Sequence, residues 1–147
     1  DVCSSDRPNP EIPKVCAGVY TIYQKDLRFI YVGMAGAELT PEKIERKQSD
    51  KKQSGLRDRL NSHASGQRSG DRFNIYIADL YVLNTLSQDQ IAAISSGQQS
   101  MDRLVRNYIR EHLSYRFIIT EHSVVRQLEA KIQTNGLGGV KPLINGR

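Results

Sequence analysis

The feature of the sequence that most constrains its fold is a short mirrored segment near its beginning. Residues 18–33 read GVYTIYQKDLRFIYVG, so that Gly-Val-Tyr at one end is followed by Tyr-Val-Gly at the other. Residues 15–23 and 28–34 are rich in β-branched and aromatic side chains, which is typical of strands. The polar residues between them favour a turn. The segment therefore predicts a β-hairpin.

A loop of residues 24–27 would set the register of this hairpin. The resulting pairs are Tyr20 with Tyr31, Gly18 with Gly33, Ile22 with Phe29 and Tyr23 with Arg28. Directly opposed residues share a face, so the two phenols are predicted to project the same way. Glycine inside a strand often marks the close approach of a ligand, but aromatic cross-strand pairs are also common stabilisers. Spacing alone leaves a binding role and a packing role open.

The rest of the chain alternates helical patterns with one further strand. Leu56, Arg59, Leu60 and His63 fall at i, i+3, i+4 and i+7, which is one face of a helix within residues 55–66. Helices are also predicted over residues 87–94, 101–112 and 123–135, and a strand over 115–120. Residues 41–54 are predicted as a solvated loop with at most a helical turn, and residues 72–83 fit a strand and a helix equally well. The order predicts an α+β fold in which helices flank a small three-stranded antiparallel sheet.

Composition limits the classes of protein. Residues 1–14 are proline-rich and are predicted to form an extended arm without a regular element, ahead of one domain over residues 15–146. Lys and Arg number 21 against 16 Asp and Glu, which suits a polyanionic partner. The 2 cysteines exclude a disulfide-rich scaffold and an all-cysteine zinc site. Because no apolar run or signal-peptide pattern is present, a cytoplasmic protein without a membrane partner is expected.

Four further residues extend the mirrored motif into a longer pattern. After GVY and YVG come Arg59 and His63 on one predicted helix, Glu129 on a later one, and Asn145 within KPLIN. In this order they resemble the GIY-YIG nuclease superfamily over residues 15–146, with valine in place of two isoleucines and an insertion over about residues 68–100. The Arg and His four residues apart, after a basic segment, resemble the type II restriction endonuclease branch. The resemblance implies an intracellular bacterial enzyme.

The resemblance also implies roles for the two tyrosines. The chain would hydrolyse DNA phosphodiester bonds with a divalent metal, Tyr20 would take a proton from the attacking water, and Tyr31 would position water or phosphate. An unperturbed phenol has a pKa of about 10 and an imidazole one of about 6.5, so His63 is expected to relay the proton. Asn145 would support the site through hydrogen bonds.

Arg59 and Glu129 are also distinguished by their neighbours in the sequence. No acidic residue lies three or four positions from Arg59, and its guanidinium suits a phosphate that gains charge. Glu129 interrupts the apolar stripe of Val125, Leu128 and Ile132, where an unpaired carboxylate would be costly. Mg²⁺ favours one or two carboxylates with waters and phosphate oxygens, so Glu129 is the predicted metal ligand, with Mn²⁺ as a substitute ion. Without the resemblance, a half-exposed surface glutamate explains the same pattern.

Basic residues are predicted to hold the backbone of double-stranded DNA. They are Lys47, Lys51, Lys52, Arg57, Arg68 and Arg72, and for Arg57 a solvated position is the alternative. Three functional classes remain open. The first is a restriction-type endonuclease, acting alone or as a homodimer. The others are a structure-selective repair or mobile-element nuclease domain and a non-catalytic DNA-binding module on the same fold.

Overall fold

The computed structural model describes residues 3–4 and 9–145 of the chain. The strands are β1 (Cys3–Ser4), β2 (Val15–Cys16), β3 (Gly18–Gln24), β4 (Phe29–Ala35), β5 (Ser54–Gly55) and β6 (Leu113–Ile119). The helices are α1 (Pro41–Ser49), α2 (Leu56–Ala64), α3 (Arg72–Ile77), α4 (Gln88–Ser95), α5 (Met101–His112) and α6 (Val125–Asn135). Within this described part, no helix has the length and apolar character needed to cross a membrane.

The centre of the fold is an antiparallel sheet with strand order β1, β6, β3, β4. β3 lies in the middle and pairs along its length with β4 on one side and with β6 on the other. The short β1 pairs with the start of β6, and β2 and β5 form a separate parallel pair. Helices pack on both faces of the sheet. The predicted α+β fold, with a three-stranded antiparallel sheet of β6, β3 and β4 between helices, is therefore confirmed, and β1 extends that sheet.

The predicted register of the hairpin is wrong, although the predicted face of its tyrosines is right. Tyr20 lies opposite Gly33, and Tyr31 lies opposite Ile22. Two shifts of one residue cause the difference. The Gln24 amide donates to the Arg28 carbonyl (3.0 Å), which shortens the loop, and a bulge then breaks the register beside Ile22. A shift of one residue alone would put Tyr20 and Tyr31 on opposite faces of the sheet, whereas two such shifts keep them on the same face.

The new register explains why a glycine faces Tyr20. A Cβ atom at Gly33 would overlap the hydroxyl and the ring of Tyr20, so the ring lies directly over the Gly33 backbone. At the other end of the mirrored segment, a Cβ atom at Gly18 would overlap the Ile118 carbonyl of β6. The mirrored glycines thus allow two different close approaches, one of a side chain and one of a neighbouring strand.

Gly33→Ala should lower the free energy of unfolding by about 1–3 kcal/mol, the usual cost of overpacking a core. The added methyl would occupy the space of the Tyr20 ring. The measurement is urea unfolding of this variant, followed by the same substitution in a Tyr20→Leu background, where the obstacle is smaller. An equal loss in both backgrounds would show that Tyr20 is not the reason for the glycine.

The two faces of the sheet carry separate cores. Tyr20 and Ile22 belong to the larger core, which also contains Leu60 of α2, Phe73 of α3 and Ile109 of α5. The smaller core lies on the opposite face, where buried Val19, Val32 and Val125 meet Leu128 and Ile132 of α6. α2, which carries Arg59 and His63, therefore lies on one face, and α6, which carries Glu129, lies on the other.

Residues 41–54 are more regular than predicted, because Pro41–Ser49 form the helix α1. The Thr40 side chain accepts a hydrogen bond from the Lys43 amide, and Pro41 occupies the first turn, where a missing N–H costs nothing. No residue of α1 is buried, so the apolar periodicity that usually reveals a helix is absent. The predicted solvated character is confirmed, and the predicted loop is wrong.

Residues 72–83 are helical. α3 continues into a π turn (Ala78–Val82) and a 3₁₀ turn (Leu83–Thr85). Phe73, Ile77 and Val82 are buried, and the wide turn keeps Val82 in the core. The spacing of these three residues drifts from the 3.6-residue period, which is why the pattern did not separate a helix from a strand.

The N-terminal arm is partly built into the fold. Cys3–Ser4 form β1, and Ile12 is buried in the larger core with 1% exposure. A turn in which the Ile12 amide donates to the Asn9 carbonyl (3.2 Å) precedes β2. The expectation of an arm without a regular element over residues 1–14 is therefore wrong for its described part. Residues 1–2 and 5–8 lie outside the described residues.

Candidate active site

Tyr20 and Tyr31 are diagonal neighbours on the face of the sheet that carries the larger core. Their ring centroids are 6.3 Å apart. Tyr20 is only 2% exposed, and burial holds the pKa of its phenol well above the usual range. Tyr31 is half-buried, and burial followed by the nearby Glu129 charge raises the pKa of its phenol as well. The two rings thus share a site, as predicted, but differ in their access to solvent.

His63 is hydrogen-bonded directly to Tyr20. Its Nε2 lies 2.6 Å from the Tyr20 hydroxyl oxygen, and the imidazole is buried. The ring packs against Phe73 at 4.5 Å between centroids and meets Tyr31 edge-on at 5.9 Å. Leu60 and Leu56, one and two turns before His63 on α2, are also buried, so this side of the helix faces the sheet. The helical spacing therefore brings His63 to the one atom of Tyr20 that can exchange a proton.

Asp71 completes this group, and sequence reasoning missed it. Its Oδ2 lies 2.7 Å from Nδ1 of His63, and its Oδ1 accepts from the Phe73 amide at 3.0 Å. Burial raises the pKa of the Asp71 carboxyl, but the interactions with His63 and the hydrogen bonds from the backbone together outweigh that effect, and the pKa lies below its usual value. An aspartate before a helix is an N-cap signal in the sequence, but its second contact is a tertiary one. No sequence spacing could have revealed that contact.

Arg59 is exposed one turn before His63, and it forms no ion pair with a described residue. Burial raises the pKa values of Tyr20, Tyr31 and Glu129, and the positive charge of Arg59 partly offsets that rise in all three. Its charge therefore acts on both phenols and on the Glu129 carboxylate. A cavity of about 280 Å³ beside it is lined by Ala35, Gly36, Glu38, Ser54, Gly55, Asp58 and Ser62.

Glu129 is half-buried on α6, at the edge of the smaller core. Burial raises the pKa of its carboxyl, and the charges of Arg126 and Arg59 only partly offset that rise. Among the described residues its carboxylate has no hydrogen-bond or ion-pair partner. The predicted apolar surroundings are confirmed, since Val125 is fully buried and Leu128 and Ile132 pack beside it. A cation would compensate this partly desolvated charge.

The donors in the site fit a weakly held hard cation. No group of three or more His, Cys, Asp or Glu side chains that could bind a metal occurs within residues 9–145. A site with a full set of protein ligands, such as zinc requires, is therefore not formed by these residues. Mg²⁺ differs, because it keeps several waters and needs only one or two carboxylates plus substrate phosphates. The partnerless carboxylate of Glu129 fits that requirement.

Asn145 anchors the end of the described chain to the open edge of β4. Its Oδ1 accepts from the Val32 amide and its Nδ2 donates to the Val32 carbonyl, both at 2.7 Å. The Ile144 amide donates to the Ile30 carbonyl at 2.9 Å. These bonds fix the backbone on both sides of Tyr31. The predicted supporting role thus takes the form of backbone pairing along the strand that carries Tyr31.

The basic residues that the sequence analysis assigned to DNA fall into two groups. Lys51 and Arg72 are exposed without an ion pair among the described residues, and exposed Lys52 lies 3.9 Å from Asp50, whereas the other three make closer contacts within the chain. Arg57 Nη2 donates to the Asn9 carbonyl (3.1 Å), Arg68 pairs with Asp102, and Lys47 Nζ donates to Ser54 Oγ (2.8 Å). Arg57 therefore fastens the N-terminal arm to α2. A solvated position was the alternative for it, and the structure shows a half-buried side chain whose Nη2 donates to backbone carbonyls.

Five of the predicted residues are thus linked by hydrogen bonding, ring contacts or electrostatic interactions, and they lie on β3, β4, α2 and α6. They are Tyr20, Tyr31, Arg59, His63 and Glu129. The arrangement combines a buried proton-accepting pair, an unpaired guanidinium and an unpaired carboxylate. Such a set can remove a proton from water and compensate the charge of an anionic substrate. Comparisons of this chain with protein-family models, with curated proteins and with solved structures give no match in any of the three.

Proposed function

We propose that this chain is a divalent-metal-dependent endonuclease of GIY-YIG type that hydrolyses DNA phosphodiester bonds. The observation that supports the proposal most is the buried 2.6 Å contact between Tyr20 and His63, two residues that the motif assigns to one reaction. Burying two polar side chains is costly unless they are paired. Any buried phenol needs a partner, but an imidazole nitrogen is a partner that can also take up the phenolic proton, which a packing role does not require, so the pair supports chemistry.

In the proposed mechanism, the proton of the attacking water goes to Tyr20 and the proton of Tyr20 goes to His63. Because burial keeps the pKa of Tyr20 well above its usual range, a free phenolate is not populated at neutral pH. The two transfers must therefore be coupled, and Nε2 of His63 is the final acceptor. Tyr31, which is half-buried beside both rings, positions the water or the phosphate.

Arg59 and Glu129 act on the charge of the substrate. The guanidinium of Arg59, which has no internal ion pair, donates to the non-bridging oxygens of the scissile phosphate. Glu129 would hold the metal, for which Mg²⁺ and Mn²⁺ are the candidates. When bound, such an ion acts as a Lewis acid on the phosphoryl group. Water then attacks phosphorus, and the bond to the 3′ oxygen breaks.

The exposed cations supply a surface for the duplex. Lys51 and Arg72 are exposed without an ion pair among the described residues, exposed Lys52 has only a 3.9 Å contact with Asp50, and the chain carries a formal net charge of +5. Within the proposal, a restriction-type enzyme is the preferred class, alone or as a homodimer. A repair or mobile-element nuclease domain would use the same chemistry. A binding module without catalysis would need neither the Tyr20–His63 pair nor an unpaired Glu129.

Incubation with supercoiled plasmid tests the proposal. We expect nicked or linear DNA in the presence of Mg²⁺ and none with EDTA. Cut ends at one recurring sequence would support a restriction-type enzyme, whereas ends at junctions or flaps would favour a repair class. Arg59→Ala should abolish cleavage, and Arg28→Ala is the matched control, because Arg28 is exposed in the hairpin turn and pairs with Asp26. DNA binding without any cleavage in Mg²⁺ or Mn²⁺ would establish the binding module instead.

A further inference from the structure

Asp71 contacts His63 from a segment to which the motif assigns no function. It is the N-cap of α3, and it is 8% exposed. One carboxylate oxygen accepts from the Phe73 amide at 3.0 Å, and the other lies 2.7 Å from Nδ1 of His63. Asp71, His63 and Tyr20 thus form a continuous buried chain of hydrogen bonds. The chain ends at the hydroxyl that is proposed to meet water.

We propose that Asp71 is the positioning residue that fixes the proton of neutral His63 on Nδ1, so that Nε2 faces Tyr20 as an acceptor. This inference rests on the proposed function. An ionised carboxylate only accepts hydrogen bonds, so the atom of His63 that contacts it must carry the proton. The other nitrogen then has a lone pair, and the O–H of Tyr20 is the donor across the 2.6 Å contact.

The surroundings of Asp71 hold it in the ionised state and in one orientation. Burial alone would raise the pKa of its carboxyl, but the hydrogen bonds from His63 and from the backbone bring it below its usual value. The buried Asn74 donates from Nδ2 to the Gln67 carbonyl (2.9 Å) and to the Ser62 carbonyl (3.2 Å). These bonds tie α3 to the last turn of α2 and to the segment that follows α2. The carboxylate is thereby held beside the ring it orients.

The chain of bonds also stabilises the product of proton transfer. As the water oxygen bonds to phosphorus, the 3′ oxygen leaves with the electron pair of its bond to phosphorus and takes up a proton from solvent. One proton of the attacking water passes to Tyr20. The proton that Tyr20 held passes to Nε2 of His63, which becomes an imidazolium. The negative charge of Asp71, 2.7 Å from Nδ1, stabilises that cation inside the core without taking up a proton itself.

Asp71→Asn tests the inference because the structure dictates how the amide must sit. The Phe73 amide donates to Oδ1 at 3.0 Å, whereas Asn74 Nδ2 lies 3.5 Å from Oδ2, so the side-chain oxygen stays at Oδ1 and the NH₂ group replaces Oδ2. The NH₂ group would then donate to Nδ1 of His63 and force the proton onto Nε2. Asparagine caps helices as well as aspartate does, so α3 keeps its N-cap. Asp79→Asn, an exposed site beyond α3, is the matched control.

Two readouts are needed, and the first requires no DNA. Two-bond ¹⁵N–¹H NMR of the histidines should show the His63 proton on Nδ1 in the unmodified protein and in Asp79→Asn, and on Nε2 in Asp71→Asn. Single-turnover cleavage should fall at least about 10²-fold in Asp71→Asn, with DNA affinity unchanged. If Asp71→Asn does not fold, Asp71→Ser keeps a capping oxygen, removes the carboxylate, and should show the same loss of cleavage.

The outcomes separate this inference from the proposed function. A proton on Nε2 in the unmodified protein, or no change of tautomer in Asp71→Asn, overturns the inference whether or not DNA is cut. A change of tautomer together with unchanged cleavage also overturns it. If the unmodified protein never cleaves DNA but the tautomer changes as expected, the nuclease function fails and the placement of the proton by Asp71 stands.

Discussion

Replacing Tyr20 with Phe should lower the single-turnover rate of DNA cleavage by about 10²- to 10⁴-fold, the range that general base catalysis supplies. The ring stays, and only the hydroxyl that lies 2.6 Å from His63 Nε2 is lost. Because both residues are buried, His63 loses a hydrogen-bond partner, and the free energy of unfolding should also fall by about 1–3 kcal/mol. Cleavage is therefore measured where the variant is fully folded, beside its DNA affinity, which should not change.

Tyr31→Phe is the matched control. Its hydroxyl has no hydrogen-bond partner among the described residues, so stability should be unchanged. Its loss of cleavage should be smaller than that of Tyr20→Phe, since Tyr31 positions and does not transfer a proton. If Tyr31→Phe is the slower of the two, the roles of the phenols are reversed. If Tyr20→Phe cuts at the parent rate, the acceptor has to be His63 acting on water directly.

Glu129→Gln should reduce Mg²⁺-dependent cleavage by about 10²-fold or more, since a metal supplies several kcal/mol of charge stabilisation and each 1.4 kcal/mol is about tenfold. The amide keeps the size of the side chain and removes the charge on which the metal would depend. DNA binding without metal should survive. Glu121→Gln, an exposed carboxylate just before α6, is the control. Cleavage by Glu129→Gln at the parent rate in Mg²⁺ would remove Glu129 from the metal site.

The raised pKa of Glu129 predicts two opposite effects of pH. Burial favours the protonated carboxyl in the folded state, so its contribution to stability is present below the unfolded pKa and is lost as pH rises through the folded pKa. Without metal at neutral pH, Glu129→Gln should therefore unfold at a higher temperature than the parent. Metal binding needs the ionised form, so cleavage by the parent should fall in acid at a higher pH than an ordinary glutamate would give. A less stable Glu129→Gln protein would contradict this account.

The hairpin shows which structural features the sequence pattern predicted and which it did not. β-branched and aromatic residues identified both strands, and the period of two put Tyr20 and Tyr31 on one face, as observed. The register was wrong because loop length and a bulge depend on backbone geometry that many sequences share. Thr40 and Pro41 are local signals for the start of α1. Because α1 has no buried face, however, its sequence has no periodic pattern of apolar residues. Patterns that depend on burial were therefore reliable, and those that depend on exact backbone geometry were not.

Spacing alone predicted the site only within one helix or one hairpin, and Glu129 and Asn145 were added by the resemblance. Arg59 and His63 are one helical turn apart, so their common position followed from the spacing of α2. Asp71 reaches His63, and Arg57 reaches Asn9, through packing between segments, and no local pattern encodes such contacts. Charge alone marked Arg57 as a DNA ligand, although its guanidinium donates to backbone carbonyls. Tertiary hydrogen bonds thus account for the missed contact of Asp71 and for the internal contact of Arg57, whose role at DNA stays a prediction.

The central position of β3 has a consequence for how the chain is made. Its partner on one side, β4, follows directly in the sequence. Its partner on the other side is β6, where Gly18 pairs with Ile119, and Asn145 bonds to Val32 of β4 across a separation of 113 residues. At about 5–20 residues per second, the hairpin leaves the ribosome on the order of ten seconds before β6. A two-stranded hairpin alone is marginally stable. The two tyrosines are therefore not fixed in the site while the chain is being translated. The proposed nuclease activity is expected only from chains that have been synthesised through Asn145.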